Sequence, residues 1–230
     1  MREFIQNSAF FGVAISLAAY WIGTFLKKKF KLAIFNPLLV AVLLTIGALV
    51  ALKMDYEVYE RGTKYISYLL TPATVSLAIP LYEQIEVLKN NIRAIIAGVA
   101  GGVVASLGTI LALAVVFRMG HEGYVTMLPK SITTAIGMGV SEELGGYVSI
   151  TVALIVITGI LGNVIAEPVL KIFRITEPVA KGISLGSASH AIGTAKAMEL
   201  GEVEGAMSSL SIVIAGILTV IGASVFAQFY

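Results

Sequence analysis

Cysteine is absent from this 230-residue chain, and charged side chains are scarce. The lack of cysteine excludes disulfide bonds, thiolate catalysis and cysteine-based metal sites. Asp, Glu, Lys and Arg make up only 13% of the residues, about half the charge of an ordinary soluble domain, and 57% of the residues are hydrophobic. This composition predicts an integral membrane protein. The net charge of +2 is too small and too dispersed for a nucleic-acid-binding face.

Sequence motifs for catalysis, metal binding or nucleotide binding are also missing. The glycine-rich stretch 98–102 lacks the Gly-Lys-Ser/Thr that would follow in a nucleotide loop, and it lies inside an apolar run. Small residues at this spacing are typical of closely packed membrane helices. We therefore expect neither an enzyme nor a protein with a cofactor or a bound metal.

Long charge-free runs predict an all-α polytopic membrane protein with about seven transmembrane helices and one re-entrant segment. A helix crosses the hydrocarbon with about 20 mostly apolar residues. Runs of about this length cover 8–26, 32–52, 94–117, 144–166 and 205–230, and shorter interrupted runs cover 65–82 and 182–195. The run 131–141 is too short to cross alone, so it is the predicted re-entrant segment; if it crosses, the count becomes eight.

Lysines and arginines in short loops mark the cytoplasmic side of a membrane. The basic stretches 27–31, 83–93 and 171–181 all face the cytoplasm if 131–141 is re-entrant. This arrangement predicts a multi-pass inner-membrane protein with its N-terminus outside and its C-terminus in the cytoplasm. We expect a single transmembrane domain, 1–230. It begins with an N-terminal helix pair at 8–52, and three repeat-like units follow at 65–118, 126–174 and 182–230.

A five-residue motif occurs at nearly equal intervals, at 76–80, 133–137 and 189–193. Each copy has a hydroxyl residue, any residue, Ala, Ile, and then Pro or Gly. Proline removes a backbone hydrogen bond and glycine lets the chain leave a helix, so we predict helix breaks at Pro72, Pro80, Gly137 and Gly193. Interrupted helices at corresponding positions of repeats indicate the binding site of a transporter.

Two broken helices of opposite direction can meet at the middle of the membrane, where their partly positive N-termini attract an anion. Hydroxyl groups and one lysine would complete such a site. The predicted substrate-binding residues are Thr71, Thr74, Ser76, Lys130, Ser131, Thr133, Thr134, Ser187, Ser189, His190 and Thr194.

His190 is also the predicted proton-coupling residue, because an ionisable side chain inside a membrane is a functional candidate. The alternative is a neutral histidine bonded to a nearby carbonyl. Three further candidates are weaker. Asn36 precedes a proline, Glu142 could lie in a solvated loop, and Lys196 could form a surface ion pair with Glu199.

Three stretches resemble the LrgB/CidB family of bacterial membrane proteins: 69–82 (LLTPATVSLAIPLY), 128–146 (LPKSITTAIGMGVSEELGG) and 188–219 (ASHAIGTAKAMELGEVEGAMSSLSIVIAGILT). The resemblance covers essentially the whole chain, although Ala135 stands where members often have proline. It implies two functions. Some members are antiholin-like partners of a smaller holin-like protein of the LrgA/CidA type and are tied to control of murein hydrolases and lysis. Others resemble carriers of small carboxylates, including a plastid glycolate/glycerate carrier and bacterial two-subunit pyruvate systems.

The residues favour a carrier of small monocarboxylates (glycolate, glycerate, pyruvate or lactate) that is coupled to protons and works by alternating access around the broken helices. A regulator of a pore needs no histidine between two hydroxyl-rich breaks. The alternative is an antiholin-like protein that modulates a holin-like pore and murein hydrolase activity. The expected partners are the lipid bilayer, the carboxylate, a second copy in a homodimer and a small holin-like subunit. By analogy, the broken helices suggest an elevator-type transporter fold.

Overall fold

The computed structural model describes residues 10–30, 32 and 35–230, except the side chain of Thr74. The described residues form helices and turns and contain no strand, so the all-helical prediction is confirmed. The chain divides into two compact units, Met1–Ser76 and Leu77–Tyr230. The boundary falls inside the predicted repeat-like unit 65–118.

The N-terminal unit contains helices α1 (Phe11–Phe30), α2 (Pro37–Leu52), α3 (Tyr56–Ser67) and α4 (Leu70–Ser76). Helix α1 packs closely on its neighbours through glycines. A methyl group on Gly23 would overlap Pro37 at the start of α2, and one on Gly12 would overlap the α3 backbone. The α1–α3 contact is completed by a 2.8 Å hydrogen bond between the hydroxyls of Ser16 and Tyr59.

The second unit contains α5 (Ala78–Glu83), α6 (Ile85–Phe117), α7 (His121–Met127), α8 (Thr134–Glu143), α9 (Val148–Ile172), α10 (Pro178–Leu200) and α11 (Glu202–Phe226). Among the described helices, α6, α9 and α11 are long and apolar enough to cross a membrane. A bent pair, Tyr56–Ser67 with Leu70–Glu83, would make a fourth span.

The core of the second unit is an apolar stripe along α6 that faces α11. Its α6 residues recur every three or four positions, so one face of the helix is buried. They are Ile95, Val99, Val103, Leu107, Ile110 and Ala114. On α11 the same core includes Ala206, Met207, Ala215 and Ala223.

Helices α7 and α8 form a helical hairpin, called hairpin 1 here (121–143). Its tip is the turn 128–133, where the chain folds back so that a methyl group on Gly137 would lie 3.4 Å from the Pro129 carbonyl. Thr126, near the end of α7, lies beside Ser141 of α8, because the Thr151 hydroxyl donates both to the Thr126 carbonyl (2.9 Å) and to Ser141 Oγ (2.7 Å). At the base of the hairpin, the Tyr124 hydroxyl donates to the Phe226 carbonyl at the end of α11 (2.8 Å).

Helix α10 is also folded back on itself and forms hairpin 2 (178–200). The backbone leaves the helical conformation at Ser189 (φ −136°, ψ 17°) and His190 (φ 42°, ψ −139°). The arms 178–188 and 191–200 then pack together: Leu185 and Ala197 share one buried cluster, and both Gly186 and Thr194 contact Ser208. In a straight helix, residues 186 and 194 would be about 12 Å apart. The run 182–195 therefore does not form the single crossing helix that its sequence predicted, and that prediction is wrong.

The two hairpins enter the second unit from opposite ends. Helix α9 leads from the base of hairpin 1 to the base of hairpin 2, and α11 returns to the hairpin 1 end. The base of hairpin 2 is fixed to the start of α11 by Lys181 and Glu204, whose charged atoms are 3.5 Å apart. The tips of both hairpins consequently point toward the middle of the unit.

Candidate functional site

A cavity of about 510 Å³ lies where the tips of the two hairpins approach α6 and α9. Among the described residues, its wall carries hydroxyl groups from all of these elements and a single charged side chain. The polar residues of the wall are Ser106, Thr109, Lys130, Ser131, Thr158, Ser187 and Ser189. Four predicted site residues, Lys130, Ser131, Ser187 and Ser189, are therefore brought together in one place.

Lys130 supplies the positive charge of the cavity. Its Nζ donates to Ser131 Oγ at 3.0 Å, and Ser131 Oγ lies 3.3 Å from Ser106 Oγ of α6. An ammonium group has three donors, and in the described part of the chain no carboxylate pairs with this one. The lysine thus has donors and charge left for an anion.

Ser189 forms the hairpin 2 side of the cavity and is only 2% exposed. Within the described residues, its hydroxyl makes no hydrogen bond to protein. The side chain is held against α9 because Gly162 lacks a Cβ; a methyl group there would overlap Ser189 Oγ. This hydroxyl is therefore a second group that can bind a ligand. Ser187, in contrast, already donates to the Ile183 carbonyl of its own helix at 2.7 Å.

His190 is buried but is not part of the cavity wall. Its Nε2 lies 3.0 Å from the Ile155 carbonyl of α9, and its ring lies against Gly159. A carbonyl only accepts, so Nε2 carries a proton in this contact. The arrangement is that of a histidine bonded to a nearby carbonyl, which was the alternative in the sequence analysis. His190 positions the tip and does not face the cavity.

The backbone of His190 is strained. A φ of 42° combined with a ψ of −139° lies in a region that glycine occupies readily and other residues rarely adopt. Such a residue costs about 1–3 kcal/mol and persists only where its surroundings hold it. Here the burial of the ring and its bond to Ile155 hold it.

Thr194 joins the tip of hairpin 2 to α11. Its Oγ1 donates to the His190 carbonyl at 3.1 Å and lies 2.7 Å from Ser208 Oγ on α11. Both side chains are fully buried, and neither lines the cavity. Thr133, which precedes α8, and Thr134, its first residue, also lie outside the cavity wall. These three residues shape the hairpins and do not line the site.

The repeated motif marks the return of the chain in both hairpins. In the second and third copies the hydroxyl residue lies at the tip, and Ala-Ile-Gly forms the first turn of the returning arm. The breaks lie at 128–133 and 189–190, so they are not at Gly137 and Gly193. These glycines are needed for close packing: a methyl group would overlap Ile155 at Gly137 and the Leu185 carbonyl at Gly193.

The first copy of the motif lies at the unit boundary. Pro72 and Pro80 are each the third residue of a short helix, where a missing N–H costs little, and Leu77 between these helices keeps a helical backbone conformation (φ −66°, ψ −16°). Thr71 and Ser76 are exposed, and the Ser76 hydroxyl donates to the Pro72 carbonyl at 2.8 Å. The Thr74 side chain lies outside the described residues. The meeting of this segment with hairpin 2 stays a prediction.

The three weaker candidates have structural surroundings of their own. Asn36 caps the start of α2, and its side chain accepts from the N–H groups of Leu38 and Leu39. Glu142 is exposed near the end of α8. Lys196 forms ion pairs with Glu167 and with Glu199, the latter at 3.1 Å. The surface-pair interpretation of Lys196 fits this geometry.

Ser106, Thr109 and Thr158 were missed by the sequence analysis. They are single hydroxyl residues in long apolar helices, and nothing local distinguishes them from hydroxyls bonded back to their own helix, as Thr109 is to Ala105 (2.7 Å). The one available signal is that Ser106 and Thr109 lie three residues apart, on one face of α6 with Gly102.

These features define a class: an all-helical membrane protein in which the tips of two opposed helical hairpins meet at a cavity lined by one lysine. Residues 16–229 match the LrgB-like family, and the chain belongs to it. The chain is 38% identical over 222 residues to "Antiholin-like protein LrgB" of Bacillus subtilis (strain 168), with 96% of each chain covered. It is 38% identical over 221 residues to the proteins of the same name from Bacillus mycoides (strain KBAB4) and Bacillus cereus (strain B4264), again with 96% of each covered. The resemblance found in the sequence is thereby confirmed. No solved structure matches the chain.

Proposed function

We propose that this protein carries small monocarboxylates across the membrane and that Lys130 binds the carboxylate. The cavity at the hairpin tips carries this proposal, since Lys130 is the one charged side chain in its described wall. A monocarboxylate brings one negative charge and is matched by one lysine. A dicarboxylate would leave a second charge without a partner inside the membrane, which is costly.

The hydroxyl groups of the cavity suit the rest of such a substrate. Ser131 is already oriented by Lys130 and Ser106, and the Ser189 hydroxyl is available. Glycolate, glycerate, pyruvate and lactate each carry a hydroxyl or carbonyl oxygen next to the carboxylate, which such groups can bind. A cavity of about 510 Å³ holds one of these acids together with water.

In this proposal the two hairpins are the parts of the protein that move during transport. Each arm of hairpin 2 has about ten residues and is thus about 15 Å long, which is half of a 30 Å hydrocarbon core. Their tips would meet near the middle of the membrane.

Each hairpin follows a crossing helix, α6 or α9, and the two pairs have opposite directions, as in inverted-repeat carriers. Movement of the tips past α6 and α9 is the alternating-access step, and an elevator-type movement fits it. Proton coupling through His190 would act on the position of the tip, because its ring faces α9.

Uptake by the purified protein tests this proposal. Radiolabelled pyruvate and glycolate are offered to proteoliposomes with and without an inward proton gradient. The parent protein should take up one or both acids, Lys130→Met should lose uptake at least about tenfold, and Lys130→Arg should retain part of it. Lys196→Met is the matched control, because Lys196 pairs with surface acids, and it should stay within about twofold of the parent. If Lys130→Met equals the parent, the carboxylate does not bind at this cavity.

A regulatory function is the second candidate, and the name of the 38% identical relatives, antiholin-like protein LrgB, favours it. In that case the chain would modulate a small holin-like subunit, whose pore affects murein hydrolase activity. Co-expression with an LrgA-type subunit separates the two functions. A regulator should change lysis in a way that does not depend on Lys130, whereas a carrier needs Lys130 whether or not the second subunit is present.

A further inference from the structure

A second cavity adjoins the first along the groove between α6 and the first arm of hairpin 2. It has a volume of about 570 Å³ and extends from Asn91 and Glu177 to Ser187. The two cavities share Gly102, Ser187 and Ala188 in their walls. They are therefore neighbouring parts of one groove.

The connection between the cavities is narrow and is kept open by a glycine. A methyl group on Gly102 would lie 3.2 Å from Ser187 Oγ, so small side chains fit after a slight shift, whereas a bulky one such as leucine would fill the space between α6 and hairpin 2. One turn earlier, a methyl group on Gly98 would lie 3.1 Å from Ile183. Gly101, between them, faces away, with nothing within 4 Å of its Cβ position.

The polar groups of the second cavity differ from those of the first. Asn91, Ser184 and Ser187 each donate to a carbonyl of their own helix, at 2.9, 2.9 and 2.7 Å. Both serine donors are thereby used, whereas the Asn91 amide keeps one N–H. With the Glu177 carboxylate at the far end, these groups give water polar contacts along an otherwise apolar wall but give an anion no strong contact. Lys130 and Ser189 of the first cavity retain unused donors. The second cavity is suited to passage and the first to binding.

The far end of the second cavity lies beside the basic connections of the unit. Asn91 lies between Lys89 and Arg93 at the start of α6, and Glu177 follows Lys171 and Arg174 at the start of hairpin 2. Positive charge in such short connections marks the cytoplasmic side.

We propose that the second cavity is a water-filled vestibule through which solutes reach the Lys130 cavity from the cytoplasm, with Gly102 and Ser187 as its neck. The identity of the solute rests on the proposed function, whereas the access route does not. On this proposal, a solute from the cytoplasm passes hairpin 2 before it reaches the Lys130 cavity.

The absence of cysteine allows a direct test of the route. Gly98→Cys and Gly102→Cys are each introduced into the full chain, with Gly101→Cys as the matched control, and a membrane-impermeant methanethiosulfonate is applied to right-side-out and inside-out vesicles. Positions 98 and 102 should react at least about tenfold faster from the cytoplasmic side than from the other side, and position 101 should react slowly from both. Reaction at 98 and 102 that is as slow as at 101, or that is equal from the two sides, overturns the vestibule.

A second, steric test applies if the cysteine variants react poorly with the methanethiosulfonate. Gly102→Leu should slow cytoplasmic modification of a cysteine placed at Ala105, beyond the neck, whereas Gly101→Leu should not. Unchanged modification in Gly102→Leu contradicts the neck. These rates are independent of uptake: if they follow the vestibule pattern but no carboxylate is carried, only the proposed function fails. If uptake depends on Lys130 but positions 98 and 102 label like 101, only the vestibule fails.

Discussion

The Nε2 atom of His190 lies 3.0 Å from the carbonyl oxygen of Ile155, and this contact joins the tip of hairpin 2 to the middle of α9. The same ring rests on Gly159, where any side chain would overlap it. The tip is thus held by a histidine whose own backbone is strained. Packing and strain oppose each other at this residue, and substitutions can separate them.

Replacement of His190 by glycine should be less destabilising than replacement by alanine. Both variants lose the bond to Ile155 and the buried ring, but glycine adopts a φ of 42° without strain. Relief of strain worth about 1–3 kcal/mol should exceed the roughly 0.5–1 kcal/mol that glycine loses in backbone entropy. Thermal unfolding in detergent should give a higher Tm for His190→Gly than for His190→Ala. Equal or reversed Tm values would show that His190 is not strained in solution.

Gly162→Ala should displace Ser189 and loosen hairpin 2. The added methyl group would overlap Ser189 Oγ, and overpacking of this kind costs about 1–3 kcal/mol. The control is Gly108→Ala on α6, where nothing lies within 4 Å of the Cβ position, and alanine there should leave the Tm unchanged or raise it. Protease sensitivity of the 178–200 region and the Tm are measured together. The close approach of α9 and hairpin 2 would be disproved if both variants had the stability of the parent.

The hydroxyls of Thr194 and Ser208 should be energetically coupled. They lie 2.7 Å apart and fully buried, so removal of one leaves the other without this partner. We expect Thr194→Val and Ser208→Ala to cost about 1–3 kcal/mol each, and the double variant to cost less than their sum by about 0.5–1.5 kcal/mol. Denaturation of the four proteins in one detergent gives this double-mutant cycle. Strict additivity would mean that the two hydroxyls do not interact.

The C-terminus should lie outside the cytoplasm. The prediction of a cytoplasmic C-terminus assumed that 182–195 crosses, but hairpin 2 returns to the end where it began, and α11 then leads to the opposite end. A C-terminal alkaline phosphatase fusion should therefore be active and a C-terminal green fluorescent protein fusion dark. Fusions placed after Arg174, in the basic connection, should behave in the opposite way. A fluorescent C-terminal fusion would restore the earlier topology.

The sequence predicted the positions of the helix interruptions better than it predicted the reversal of chain direction at them. The repeated motif located both hairpin tips, because the tips need residues that tolerate a turn and the returning arms need a small residue for close packing. It did not predict that α10 reverses direction. The reversal occurs at Ser189 and His190, and although histidine is enriched among residues with a positive φ, most histidines have a negative φ, so one histidine does not predict a reversal. Tertiary contacts with Ile155 and Ser208 stabilise it, and these residues are distant in sequence.

The candidate site was predicted in part for a related reason. Lys130, Ser131, Ser187 and Ser189 belong to the interrupted segments, where polar residues in an apolar chain are conspicuous. Ser106 and Thr158 come from uninterrupted helices and reach the cavity only because those helices cross beside the tips. His190 was the most conspicuous residue of all, yet its ring turns toward α9, and sequence alone does not give the rotation of a side chain at a tip.

The division of hairpin 2 contacts between α9 and α11 has a consequence for biosynthesis. The tip packs on α9, which leaves the ribosome first, whereas Gly182, Gly186 and Thr194 pack on residues 204–208, which are made later. A nascent chain that ends near residue 200 has the whole hairpin but lacks its second support. Hairpin 2 therefore reaches its final depth only after α11 has been synthesised and inserted, so assembly of this half of the protein is completed from its C-terminus.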